Sequence, residues 1–438
     1  MAEKQKEESR SVHLQAPRKS IKRTRLDQVT NLALRSITLA SKFLLIFFLA
    51  RFLTPAELGL YGLLAATISY SLYWLGFDFY TYSTRELLKL PKNQWGGMLK
   101  SQVAFTVVLY GVFCPMFLLL FVFGALPWFV ACWFFVLLIL EHLNQELMRL
   151  LVALSEPLTA GWVLFFRSGA WAVVATVLMY VVVGFRNLET VFLCWIAGGF
   201  FGVVIAAWRL RILGMGGWQK RVDWSWIHRG VRVALPLLVA TLAIRGLFTI
   251  DRYWLEALTG LEVLGAYVLF MGIGNAMMSF LDAGVFAFMY PALIGAYQQG
   301  QREVFRANAQ RLLIQTVIFT VVFVAIAMVC IDPLLGWLAK PVYRAQEGLF
   351  LWILLAISLY AIGMVPHYVL YAQGYDHPLI RSHIAGLFVF LGTTWLASLC
   401  WPHIAVPVGL CCAFACILLW KVHAYLRLTP ASYRLFHF

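Results

Sequence analysis

Apolar residues run along this chain in long blocks, broken by short polar and basic gaps. A helix needs roughly 20 mostly apolar residues to cross a bilayer's hydrocarbon core. Measured with that length, the pattern predicts twelve spans. In the first half they cover 29–52, 58–80, 101–123, 128–150, 158–183 and 189–208. In the second they cover 233–258, 264–288, 312–335, 349–372, 380–401 and 404–425. Two pairs are joined by turns so tight (124–127 and 402–403) that each reads almost as one segment.

Composition points to the same solvent. Of the 438 residues, 62% are hydrophobic and 13% charged, with a mean hydropathy of +0.80. Soluble domains carry about a quarter charged residues, and a water-soluble surface this apolar would aggregate. The 35 Lys and Arg against 20 Asp and Glu give a formal charge of +15. With no basic folded domain to hold it, that charge excludes nucleic acid as a partner. The basic residues gather instead in alternate gaps. With the N-terminus inside, only Arg51, Arg186, Lys340 and Arg344 fall in outer loops, and Arg35, Lys42, Arg167, Arg245 and Arg252 fall within spans. Cytoplasmic loops collect Lys and Arg, so both termini are expected in the cytosol.

The expected organisation is therefore a basic tail over 1–28, a six-helix bundle over 29–208, a linker over 209–232, a second bundle over 233–425 and a tail over 426–438. The first tail carries Lys4, Lys6, Arg10, Arg18, Lys19, Lys22, Arg23 and Arg25 and leads into a retained helix. No loop has room for a nucleotide-binding domain, and the phosphate-binding pattern G-x-x-x-x-G-K-[ST] is absent. No nucleotide, metal or other cofactor is expected. The cysteines, among them Cys114, Cys194 and Cys411, lie in apolar runs without metal spacing and read as small hydrophobes.

The halves repeat. Leu53-Thr54-Pro55-Ala56-Glu57-Leu58-Gly59-Leu60-Tyr61 follows the first helix of half one, and Leu258-Thr259-Gly260-Leu261-Glu262-Val263-Leu264-Gly265-Ala266-Tyr267 follows that of half two. Both read LT, an acidic residue, then LGxY. An even number of spans gives the copies one orientation, so a pseudo-two-fold along the membrane normal relates them, with the transport path between.

The phrase from Ala50-Arg51-Phe52 through Tyr61 resembles the first periplasmic turn of polysaccharide-transport proteins. These are the Wzx-type flippases of the multidrug/oligosaccharidyl-lipid/polysaccharide (MOP) superfamily. Ile250-Asp251-Arg252-Tyr253-Trp254, and Pro291-Ala292-Leu293 with Ala296-Tyr297 in the inner loop after the eighth helix, are similar to the same family. The resemblance implies an all-α, MATE-like pair of six-helix bundles forming a V that opens to one side at a time. It also implies an undecaprenyl-pyrophosphate-linked glycan, such as an O-antigen repeat unit, as cargo. That cargo would be flipped outward across a bacterial inner membrane, alongside other glycan-assembly proteins.

Ionisable groups inside a span are costly and face a cavity or a partner. Arg35 and Lys42 are two turns apart on the first helix, as are Arg245 and Arg252 on the seventh, and Arg167 adds a cation in the fifth. Fixed cations in a dehydrated cavity would replace the hydration of a pyrophosphate, and Arg grips phosphate oxygens bidentately. Alternatively, Arg35 snorkels to head groups and Arg252 pairs with Glu256 at i+4. Glu141, Asp251 and Asp282 are candidates for coupling to H+ or Na+. Glu141, Asn144, Gln145 and Arg149 form a polar stripe that reads equally as interhelical bonding with an internal Glu–Arg pair. Asp78 reads as a solvated helix end. Tyr73, Trp74, Tyr80 and Trp128 suit an interfacial belt, while Tyr253 and Trp254 could stack on sugar rings. Gly198 and Gly202 suit close packing in the sixth span.

Two other functions stand beside the flippase. A multidrug or cation antiporter of the same superfamily would want an acidic cavity. A membrane glycosyltransferase or polysaccharide polymerase would want an acid/base pair on a sizeable surface loop.

Overall fold

The computed structural model describes residues 21–434. Every regular element among them is helical, and twelve helices are long and apolar enough to cross a membrane. They are α1 (Val29–Phe52), α2 (Pro55–Gly76), α3 (Lys92–Val122), α4 (Trp128–Ala153), α5 (Pro157–Val181), α6 (Leu188–Leu213), α7 (Trp224–Thr259), α8 (Leu261–Gln298), α9 (Arg302–Leu338), α10 (Glu347–Ala372), α11 (Asp376–Ser398) and α12 (Ala405–Leu428). Each matches one expected span.

The differences lie at helix ends. The first helix begins at Ile21, so residues 21–28 are helix rather than tail, and residues 1–20 and 435–438 of the expected tails lie outside the described residues. The stretch Pro291–Tyr297, expected in a loop, is instead inside α8. The second span stops at Gly76 rather than at 80, because Phe77 and Asp78 turn through positive φ (52° and 47°). Asp78 is buried there, not solvated.

Two faces follow from helix direction. One, the basic face, carries the connections 77–91, 154–156, 214–223, 299–301 and 373–375. The other carries 53–54, 123–127, 182–187, 260, 339–346 and 399–404.

The repeated LGxY segments form one of the contacts between the halves. Thr54 caps α2 with its hydroxyl on the Glu57 amide (3.2 Å), while Glu57 reaches back to the Thr54 amide (2.8 Å), a reciprocal capping box. Half two opens α8 with Gly260 at φ 84° instead. One turn on, Gly59 lies on the Leu261 carbonyl and Gly265 on the Pro55 carbonyl, so a Cβ on either glycine would overlap the other repeat's backbone. The glycine of each copy is thus the landing site of its counterpart.

A second closure lies beside it on the same face. Arg51, in the last turn of α1, donates to the Leu338 carbonyl at the end of α9 (2.9 Å). Lys340, just past α9, donates back to the carbonyls of Ala50 (2.8 Å) and Leu53 at the end of α1. The last carbonyls of a helix have no partner within it and attract cations. Each half therefore caps a helix of the other. Tyr343 adds a hydroxyl to Ala50 O (3.3 Å).

A cationic cavity between the halves

On the basic side of this closure three adjoining voids open. A chamber of about 600 Å³ lies between α2, α7, α8 and α10, with Tyr61, Tyr70, Tyr73, Arg245, Arg252 and Asp282 among its lining. A cleft of about 610 Å³ between α1, α5 and α8 carries Arg35 and Lys42, and shares Asn275, Ser279 and Asp282 with the chamber. An alcove of about 270 Å³ inside the first half holds Glu141, Arg167, Trp171 and Trp195. It shares Lys42 and Ser168 with the cleft, and Tyr61 and Ser69 with the chamber.

All five cations expected from the sequence line this composite cavity, and their states differ. Arg167 sits 2.5 Å from Glu141, whose other oxygen accepts from the Trp195 indole (2.7 Å). That indole stacks on Trp171 at 5.4 Å with the planes 10° apart. Arg252 is held by Asp251 at 3.2 Å and by the Phe248 carbonyl. Arg35, Lys42 and Arg245 form no ion pair among the described residues. The Arg245 guanidinium lies over the Tyr73 ring, 5.5 Å from its centroid. Asp282 faces the chamber and the cleft.

Two backbone irregularities aim these groups. A π-turn at Phe166–Ala170 interrupts α5 at Arg167, and another at Asp282–Phe286 begins at Asp282 in α8. Single π-turns recur at functional sites because the extra residue re-aims side chains.

Several pairings depart from the sequence reading. Glu141 neutralises Arg167 rather than Arg149; Arg149 pairs with Glu146 at 2.5 Å. Arg252 pairs with Asp251, not Glu256. Asp251 is fully buried behind the cavity, accepting from the Tyr267 hydroxyl at 2.5 Å, so its carboxylate is occupied by packing partners. Of the expected belt residues, Tyr73 lines the chamber, Trp74 packs on Phe113 and Tyr80 receives Arg149 at 3.7 Å from its centroid. Neither Tyr253 nor Trp254 lines the chamber: Tyr253 bonds Thr67 (2.6 Å) and Trp254 packs on Phe390. Gly198 lies against Trp171 in α5, and Gly202 against Asn144 in α4.

The sequence reading missed the chamber's tyrosines, Tyr61, Tyr70, Tyr73, Tyr360 and Tyr368. A signal was present. Tyr61, Ala65, Ser69 and Tyr73 recur every four residues, a small and polar stripe on one face of an otherwise apolar helix.

No family model and no curated relative matches the sequence. Solved structures do match in shape. An inward-facing multidrug resistance MATE family transporter of the MOP superfamily is 12% identical, with 92% of this chain and 99% of that one covered and a TM-score of 0.72. An outward-facing multidrug resistance MATE family transporter is 13% identical over 92% and 95% of the two chains, with a TM-score of 0.53. A MOP superfamily transporter from Pyrococcus furiosus, described as having a binding pocket of reversed polarity that suggests a different function, is 14% identical over 93% of each chain, at a TM-score of 0.50. The chain therefore has the fold shared by MATE transporters of the MOP superfamily, closed on one face and hollow toward the basic one.

Proposed function

We propose that this protein flips a lipid-linked oligosaccharide, carried on a polyprenyl pyrophosphate, from the leaflet on its basic face to the opposite leaflet. The observation that carries the proposal is the cavity's charge: five cations against two carboxylates, with Arg35, Lys42 and Arg245 free of ion pairs among the described residues. An anionic head group brought into a low-dielectric space needs fixed positive charge to replace its water. The cleft between α1 and α8 lets that head group reach the chamber while its chain stays in lipid. Tyrosines and the stacked tryptophans give the attached sugar apolar faces and hydroxyls. Alternating access then amounts to rocking the halves about the α2–α8 contact, with the cavity passing from one face to the other.

On this reading the basic face is cytosolic, as Lys and Arg retention predicts, and the membrane is a bacterial inner membrane. Glu141 and Asp282, the carboxylates lining the cavity, are the groups we assign to H+ or Na+ coupling. Asp251 instead holds Arg252 in place.

The fold neighbours favour a second reading, a MATE-like drug antiporter. A cationic drug would meet net repulsion in this cavity. The Pyrococcus neighbour's description speaks for the same fold serving a different function when pocket polarity is reversed. One experiment decides between the two: purified protein in liposomes, offered a fluorescent polyprenyl-pyrophosphate sugar or a cationic dye under proton and sodium gradients. Movement of the lipid-linked sugar is expected. Dye transport without sugar transport would replace the proposal with the antiporter.

A further inference from the structure

A cavity of about 710 Å³, larger than any of the three above, lies elsewhere and shares no lining residue with them. It is a slot in the first half between α3, α4, the short helix Tyr80–Leu88 and the basic-face end of α6, and the one other cation in its lining, Arg149, is paired with Glu146. Near the opposite face α3 and α4 are joined by a tight turn and sealed by Phe121 on Phe134 at 5.7 Å. Toward the basic face long polar side chains bridge the two helices. The Tyr110 hydroxyl meets His142 Nδ1 at 2.8 Å, and Gln102 donates to Glu146 at 3.0 Å.

Above this polar floor the walls are apolar, and Val103 and Val107 are 59% and 62% exposed, so the slot is open toward lipid. At its basic-face end stand Arg211, in the last turn of α6, and the exposed indole of Trp218. Arg211 forms no ion pair among the described residues. An apolar trough that ends in an unpaired guanidinium and an interfacial tryptophan matches one kind of molecule, a lipid with a hydrocarbon tail and an anionic head.

We propose that this slot is a binding site for an anionic phospholipid of the leaflet on the basic face. Its acyl chain lies between α3 and α4, and its phosphate rests on Arg211. The site is separate from the transport path and does not depend on what the central cavity carries. The slot opens on α3, α4 and α6, whereas the cleft to the cavity opens on α1, α5 and α8.

Native mass spectrometry of the full chain, incubated with phosphatidylglycerol or phosphatidylcholine, tests this. The wild type is expected to retain phosphatidylglycerol preferentially. Arg211→Ala should lose about fivefold of that preference, the effect of one basic residue at a membrane surface. Val107→Trp, which fills the slot, should abolish retention of either lipid while the melting temperature confirms that the chain folds. Equal retention of the two lipids by the wild type, or unchanged retention in Arg211→Ala, would overturn the assignment. Displacement of the bound lipid by one equivalent of polyprenyl phosphate would assign the slot to the carrier instead, and would equally overturn it.

Discussion

The reciprocal capping of α1 and α9 sets how firmly the face opposite the basic one is shut. Replacing both Arg51 and Lys340 by alanine removes the hydrogen bonds to Leu338, Ala50 and Leu53. Hydrogen bonds to charged groups are worth about 1.5–3 kcal/mol. Because Arg51 is exposed and Lys340 only half-buried, the lower figure applies to each side chain removed. The double variant should then lose about 3 kcal/mol of closure, shifting the closed-to-open ratio about a hundredfold, and each single variant about tenfold. Tyr343→Phe, which removes one 3.3 Å bond, should shift it less. Spin labels at Gly184 and Gly348, where an added Cβ meets nothing within 4 Å, would report the separation of the halves by pulsed electron resonance. The eight native cysteines would first be replaced. The long-distance population should grow in the order wild type, single variants, double variant. An unchanged distribution in the double variant would refute the view that these contacts hold the face closed.

Other outcomes follow from the same geometry. Gly265→Ala should open the same face or misfold the chain, because its methyl would overlap the Pro55 carbonyl; Gly295→Ala, with nothing within 4 Å, should do neither in parallel labelling and melting experiments. Asp251→Ala should lower stability by about 3–5 kcal/mol, since it leaves the Arg252 guanidinium without its carboxylate; a change of melting temperature within error would show that the pair is not structural.

All twelve spans were legible because hydropathy and length alone decide what can cross a bilayer. The repeated LGxY was legible as a duplication, but not as the contact it makes: that Gly59 and Gly265 accept each other's helix starts depends on how two distant halves approach. The cations were found because charge within a span is conspicuous. Their partners were misjudged because i+4 and i+8 spacing suggests neighbours on one helix, while Glu141 reaches across to Arg167 and Asp251 binds the residue next to it. The π-turns at Arg167 and Asp282 leave no trace in an apolar run. Tyr73 in such a run reads as interfacial until the cavity assigns it to its wall.

The claim on which the account rests is that free cations between the halves receive a pyrophosphate. Equilibrium binding of a polyprenyl pyrophosphate and of the corresponding neutral polyprenol to the purified protein measures it most directly. The pyrophosphate should bind far more tightly, and Arg245→Ala and Lys42→Ala should each weaken it by about tenfold or more while leaving the alcohol unaffected. Equal affinity for the charged and neutral lipids, or binding of the pyrophosphate indifferent to both substitutions, would contradict it.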